Sequence, residues 1–110
     1  MGNMQKRPER NKVLSLLGLA ARSRNVVSGG FATEEAVKNG KAYLVIIAEN
    51  ASDNTRKKYS NMCEFYKVPY EYYSEKDILG HAIGKEERSC LAVTDAGFAD
   101  SIRKHLVDSK

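Results

Sequence analysis

Residues 28–50 read SGGFATEEAVKNGKAYLVIIAEN, and their order decides the fold. A double glycine, Gly29-Gly30, precedes a helical stretch from about Phe31 or Ala32 to Asn39, and Gly40 stands where a left-handed residue closes a helix. Residues 43–48 are then a nearly unbroken apolar run, the pattern of a strand covered on both faces. A unit of loop, helix and buried strand predicts helices layered on a sheet. It also turns the N–H groups of a helix start outward, where unsatisfied donors and partial positive charge attract anions.

Outward from this unit the same alternation continues. Pro8 suits the first turn of a helix to about Arg22, whose buried stripe is Val13, Leu16, Leu17 and Ala20. Val26 and Val27 make a short edge strand. Ser52 or Asp53 caps a third helix to about Tyr66, with Tyr59, Met62, Cys63 and Tyr66 toward the core. Residues 68–73 read as a strand with Pro69 near its start. Ser74 and Asp77 have capping-box spacing and open a helix to Ile83. Residues 89–94 form a further strand, and Asp95 caps a last helix carrying Phe98, Ile102 and Leu106. Short connections between alternating helices and strands predict an α/β protein, a three-layer α/β/α sandwich. It is read as one domain over residues 1–110, with about 1–8 as a flexible basic start.

Composition agrees with a globular chain: 110 residues, 42% hydrophobic and 29% charged, enough for one core. The net charge is +4, but its placement is uneven. Lys6, Arg7, Arg10, Lys12, Arg22 and Arg24 crowd the N-terminal quarter, where Glu9 is the only acid. Clustered cations draw polyanions more strongly than the net value implies. A solvated helix face accounts for the same residues, and charge alone leaves the two readings level. Cys63 and Cys90 lie far apart in apolar company, outside any CxxC pattern, and read as reduced core thiols. With no apolar run of membrane-span length and no hydrophobic leader in MGNMQKRPER, the cytoplasm is the expected compartment.

Gly29-Gly30 lacks the frame of a P-loop or a dinucleotide fingerprint, and in isolation it is a tight turn. Arg22, Arg24 and Lys38 nearby add weight to an anion site. Glu49, Asn50 and Ser52 follow the buried strand, at the sheet edge where ligands collect, with helix capping the favoured role of Ser52. The polar loop before the last strand brings Lys85 and Arg88 to the Gly29 edge if the strands run parallel. Catalysis finds little support. His81 and His105 have no metal-ligand partner at i+4, and Ser28 and Cys90 have no histidine in a recognisable pattern. The pairs Glu34-Glu35 and Glu86-Glu87 offer no acid–base geometry. No enzyme, metal or cofactor is expected, and the tyrosines read as packing residues.

Seven segments, in order, carry a resemblance: LSLLGLA from Leu14, VSG from Val27, AVKNGKA from Ala36, LVIIAENAS from Leu44, VPY from Val68, LGHAIG from Leu79 and AVTDAGFA from Ala92. Together they resemble the ribosomal protein L7Ae/L30e family, and within it the bacterial YlxQ-like branch. The resemblance implies an L30e-like fold, with a mixed four-stranded sheet between helices and no catalytic activity. It also implies binding of structured RNA, either rRNA or another kink-turn RNA, with ribosomal or RNP proteins as further partners and no membrane.

Carried over by position, Ser28, Gly29, Gly30, Phe31, Ala32 and Glu35 form a first RNA surface. Ser52, Lys76 and the loop holding Lys85, Arg88, Ser89 and Cys90 form a second. Lys38, Lys76, Arg88 and the basic N-terminal region supply phosphate neutralisation, and the two neighbouring turns are expected to make a positively biased platform on one rim of the sheet. One departure stands out. Many kink-turn binders carry G-x-N-E-x-x-K, and this chain has Phe31, Ala32 and Glu35 at the three polar positions. Phe31 suits stacking on a base or packing as a helix staple, and packing is the favoured reading. Lost base-edge hydrogen bonds cost ~1–3 kcal/mol each in discrimination. The same substitutions support an alternative: a protein-interaction or ribosome-assembly adaptor that keeps the fold and has lost the kink-turn code.

Overall fold

The apolar run that follows Lys41 becomes the middle of the sheet. The computed structural model describes residues 8–108, and side chains for 12–107. The expected basic start, with Lys6 and Arg7, lies outside the described residues. Four strands, β1 (Val26–Ser28), β2 (Leu44–Ile47), β3 (Tyr70–Tyr72) and β4 (Cys90–Val93), assemble in the order β1-β4-β2-β3. Both central strands are buried at every position, as strands covered on two faces must be. The sheet is mixed: β4 runs antiparallel to β1 and β2, and β2 runs parallel to β3.

Five helices cover it: α1 (Pro8–Arg22), α2 (Gly30–Lys38), α3 (Asp53–Tyr66), α4 (Lys76–Ala82) and α5 (Ala96–Asp108). Helices α2 and α3 pack together on one face, and α1, α4 and α5 associate on the other. This is the expected three-layer α/β/α sandwich. Leu44, Ile46, Ile47 and Leu91 from the sheet belong to one core cluster with Val13 and Leu17 of α1 and Ile102 and Leu106 of α5, all essentially inaccessible to solvent. Each such side chain stabilises the fold by about 1.5–3 kcal/mol through burial.

Three expectations need correction. Tyr66 is 41% exposed, outside the core, and Phe65 beside it is 77% exposed. The 14-residue α3 is about 21 Å long against about 13 Å for four-residue β2, so its last turn overhangs the sheet. The Ser74 capping box does not form: Ser74 is buried at φ 64°, and its carbonyl accepts from Glu49 N at 2.8 Å. The start of α4 is satisfied from a distance, Lys76 N donating to Asn50 Oδ1 at 2.9 Å. The third correction concerns direction. The loop before β4 does reach the end of β1, but through antiparallel pairing, with Ser28 opposite Leu91.

Candidate functional site

The topology gathers four turns on one rim of the sheet. Strands β1, β2 and β3 end there, and β4 begins there. Main-chain and side-chain hydrogen bonds lace these turns into a continuous band. Gly29 N donates to Cys90 O at 3.0 Å, Ala48 N to Ser89 O at 2.8 Å, and Arg88 N to Lys76 O at 3.0 Å. Gly29 caps α2 at φ 89°, a conformation that only glycine adopts without strain. That geometry aims the first N–H groups of α2 off the rim.

Between the turns lies a shallow cavity of about 400 Å³, with Ser28, Gly29 and Gly30 on one wall and Arg88, Ser89 and Cys90 on the other. Arg88 bridges the walls. Its Nε donates to Ser28 Oγ at 3.0 Å, and its Nη1 donates to Glu87 O at 3.0 Å and Glu86 O at 3.4 Å. Thr55 and Tyr59 of α3 complete the lining. Sequence reasoning missed both as site residues, although Ser52, Thr55 and Tyr59 share helical spacing and so one face. Burial pushes the Tyr59 hydroxyl up to about 12. It also pushes the Cys63 thiol up to about 12 and the Cys90 thiol up; both cysteines are free, buried thiols.

The remaining candidates distribute unevenly. Ser52 is the N-cap of α3: its Oγ accepts from Thr55 N at 3.2 Å and donates to Thr55 Oγ1 at 3.0 Å. Lys76 stands on the rim beside Arg88, its amide and carbonyl both tied into the band. Phe31, read as packing at the sequence level, is instead 81% exposed in the first turn of α2, while Ala32 is half-buried. Glu35 is exposed one turn further on and accepts from Asn39 Nδ2 at 3.3 Å. Lys38 lies at the other end of α2, about 12 Å along the axis. It pairs there with Glu34 at 2.7 Å, so its charge is partly spent within the helix. The pairing holds the Glu34 carboxyl below and the Lys38 ammonium above their ordinary ranges. Lys85 is exposed on the far flank of the loop, against α1 and outside the cavity.

The two turns were expected to be positively biased, and by formal charge they are not. Lys85 and Arg88 are balanced by Glu86 and Glu87 on the same loop. The groups at the cavity suited to an anion are the α2 N-terminus and the Arg88 guanidinium between the walls, with Glu87 also in the lining. Among the described residues no helix is long and apolar enough to cross a membrane.

An α/β/α sandwich whose loops converge on one rim defines a small binding domain of the L30e architecture. The chain belongs to the ribosomal protein L7Ae/L30e/S12e/Gadd45 family, whose model matches residues 11–103. It is 48% identical over 87 residues to RNA-binding protein YlxQ of Bacillus subtilis (strain 168), covering 79% of this chain and 87% of that protein. It is 35% identical over 108 residues to large ribosomal subunit protein eL30 of Branchiostoma belcheri, covering 96% and 95%. A solved structure from Bacillus halodurans C, of a protein with unknown function, superposes with a TM-score of 0.84 at 41% identity, over 87% of this chain and 97% of that one. These matches support membership of the YlxQ branch. The named relatives are RNA-binding and ribosomal proteins rather than enzymes, in agreement with the non-enzymatic reading.

Proposed function

We propose that the chain binds structured RNA without catalysing a reaction, as a single cytoplasmic domain over residues 1–110 associated with ribosomes or another RNP. The contact surface is the rim: Ser28, Gly29, Gly30, Phe31 and Ala32 on one side, and Ser52, Lys76, Arg88, Ser89 and Cys90 on the other. The observation that carries this reading is the Arg88–Ser28 bridge, which holds the α2 N-terminus and the loop before β4 as two walls of one cavity. A phosphate on the helix end and an extruded base between the walls match that shape. The RNA-binding description of the YlxQ relative supports it.

The ligand in this reading is a kink-turn, recognised by its distorted backbone more than by base edges. Phe31 replaces a hydrogen-bonding residue with an exposed aromatic face, suited to stacking on an unpaired base. Electrophoretic shifts with a kink-turn RNA, and with a version lacking its G·A pairs, test this. Preferential retardation of the intact motif is expected. Equal binding removes the kink-turn reading, and no binding to either removes RNA.

A second reading has one observation in its favour. Phe31 borders a mainly apolar hollow of about 300 Å³ with Val27, Ala36 and Thr94, a surface that a protein partner would cover. On that reading the chain is a protein-interaction or ribosome-assembly adaptor. Pull-down from nuclease-treated lysate separates the two, because protein partners then persist without RNA.

A further inference from the structure

The Gly29 turn and the loop before β4 carry no net formal charge between them, so the surplus cations of the chain lie elsewhere. A cleft of about 630 Å³ begins at Ser28 and Lys85 and runs between α1, α4 and the edge strand β1, past Arg22, Arg24 and His81. It continues into a stretch of about 550 Å³ toward Leu14 and Leu19, the two parts sharing Gly18, Arg22, His81 and Ala82. They form one trough, with the Arg22 guanidinium over the bare backbone of Gly18. Helix α1 follows it for about 12 Å from Leu14 to Arg22.

Three features distinguish this trough from an ordinary surface furrow. Neither stretch has an aspartate or glutamate in its lining, whereas the rim cavity holds Glu87. Arg22, Arg24 and Lys85 form no ion pair among the described residues. Asp77, the acid on α4, turns its Oδ1 to Ile78 N. The trough is also continuous with the rim, because Ser28 lines both. Its far end is apolar, with Leu19 and Ile78 both partly exposed. Unpaired cations beside apolar wall suit a single strand, whose phosphates and base faces are both accessible. A duplex would offer the wall phosphates alone.

We propose that this trough is the path of a single-stranded RNA segment leaving the rim, its phosphates neutralised by Arg22, Arg24 and Lys85. The proposal rests on the RNA-binding reading of the rim and adds a second site to it. The test compares a blunt kink-turn RNA with the same RNA carrying an oligouridine tail on either strand end, by fluorescence anisotropy across a KCl series. For the wild-type chain one tail should tighten binding about tenfold and steepen the salt dependence by about 0.7 per phosphate contact. In Arg22→Ala/Arg24→Gly/Lys85→Ala the ratio of tailed to blunt affinity should fall to near one. The single variant Arg22→Ala should lower that ratio partway, and it serves if the triple variant does not fold.

A wild-type ratio near one overturns the tail path and leaves the rim reading intact. So does a ratio unchanged in the variants, even if both affinities fall. Failure of wild type to bind either RNA overturns both readings. Displacement of the tail by oligoglutamate, with no displacement by free oligouridine, would assign the trough to an acidic protein segment and overturn this proposal.

Discussion

Arg88 Nε donates to Ser28 Oγ at 3.0 Å, joining residues sixty positions apart across the mouth of the rim cavity. The same guanidinium donates to Glu86 O and Glu87 O, so one side chain orders its own loop and ties it to the start of α2. Arg88→Ala removes the tie and one cation together. Charge-assisted hydrogen bonds contribute about 1.5–3 kcal/mol, and partial solvent exposure reduces this to about 1 kcal/mol of stability. RNA affinity should fall about tenfold. Arg88→Lys should restore little of it, because an ammonium cannot hold the hydroxyl and the carbonyls in one plane. Urea titration and anisotropy measure the two effects. Full rescue by lysine would reduce the role of Arg88 to simple charge.

Phe31 is exposed for packing purposes and well placed for stacking. Phe31→Ala should leave stability within about 0.5 kcal/mol, as for other surface positions. Loss of one stacked base should weaken RNA binding by about 1–3 kcal/mol, and Phe31→Tyr should retain most of it. Unchanged RNA affinity in Phe31→Ala would transfer the residue to the protein-interaction reading.

Local signals exposed most of the fold and only part of the site. The apolar run in β2, the Ser52 cap and the Asp95 cap, whose Oδ2 accepts from Phe98 N at 2.9 Å, depend on neighbours in sequence and were legible there. The cap of α4 comes from Asn50, twenty-six residues away, so Ser74 with its apt spacing misled. Phe31 misled for a related reason. An aromatic at a helix start is as consistent with a staple as with exposure, and only the path of β1 decides. Convergence of Ser28 with Arg88 was expected on a parallel sheet and arises from an antiparallel pair, which no local pattern in either strand specifies.

Two buried thiols give the fold an alkaline limit. Burial holds the Cys63 thiol near 12 against an ordinary 9.0, and it pushes Cys90 upward as well. Above pH 9 the unfolded chain loses these protons while the folded chain keeps them, so the unfolded state binds fewer protons and stability declines as pH rises. The contribution is complete below about pH 9 and disappears toward 12. Tyr59, raised by burial from 10.0 to about 12, extends the decline. Urea midpoints at pH 7–10.5 should fall on the alkaline side, with a shallower fall in Cys63→Ala. Cys63→Ala should also lower the neutral midpoint slightly through the small cavity it leaves. A midpoint constant to pH 10.5 would contradict the burial of both thiols.

Gly80 decides whether the Arg88 loop can reach the rim at all. A Cβ there would fall onto the Glu86 carbonyl and within 2.9 Å of the Glu87 Cα, both backbone atoms with no rotamer to relieve the clash. The loop folds back over α4 at this point, with Lys85 N donating to Gly80 O at 2.8 Å and Arg88 N to Lys76 O at 3.0 Å. Gly80→Ala must push residues 86–88 away from the helix, and overpacking of this kind costs about 1–3 kcal/mol. The displaced loop carries Arg88 with it and opens the bridge to Ser28. RNA affinity should therefore drop at temperatures where the variant is still fully folded, and hydrogen exchange at the Arg88 amide should accelerate before the β4 amides respond. Wild-type exchange at Arg88 in a folded Gly80→Ala protein would mean that the loop tolerates the methyl group. The close approach of helix and loop would then not be what positions the rim.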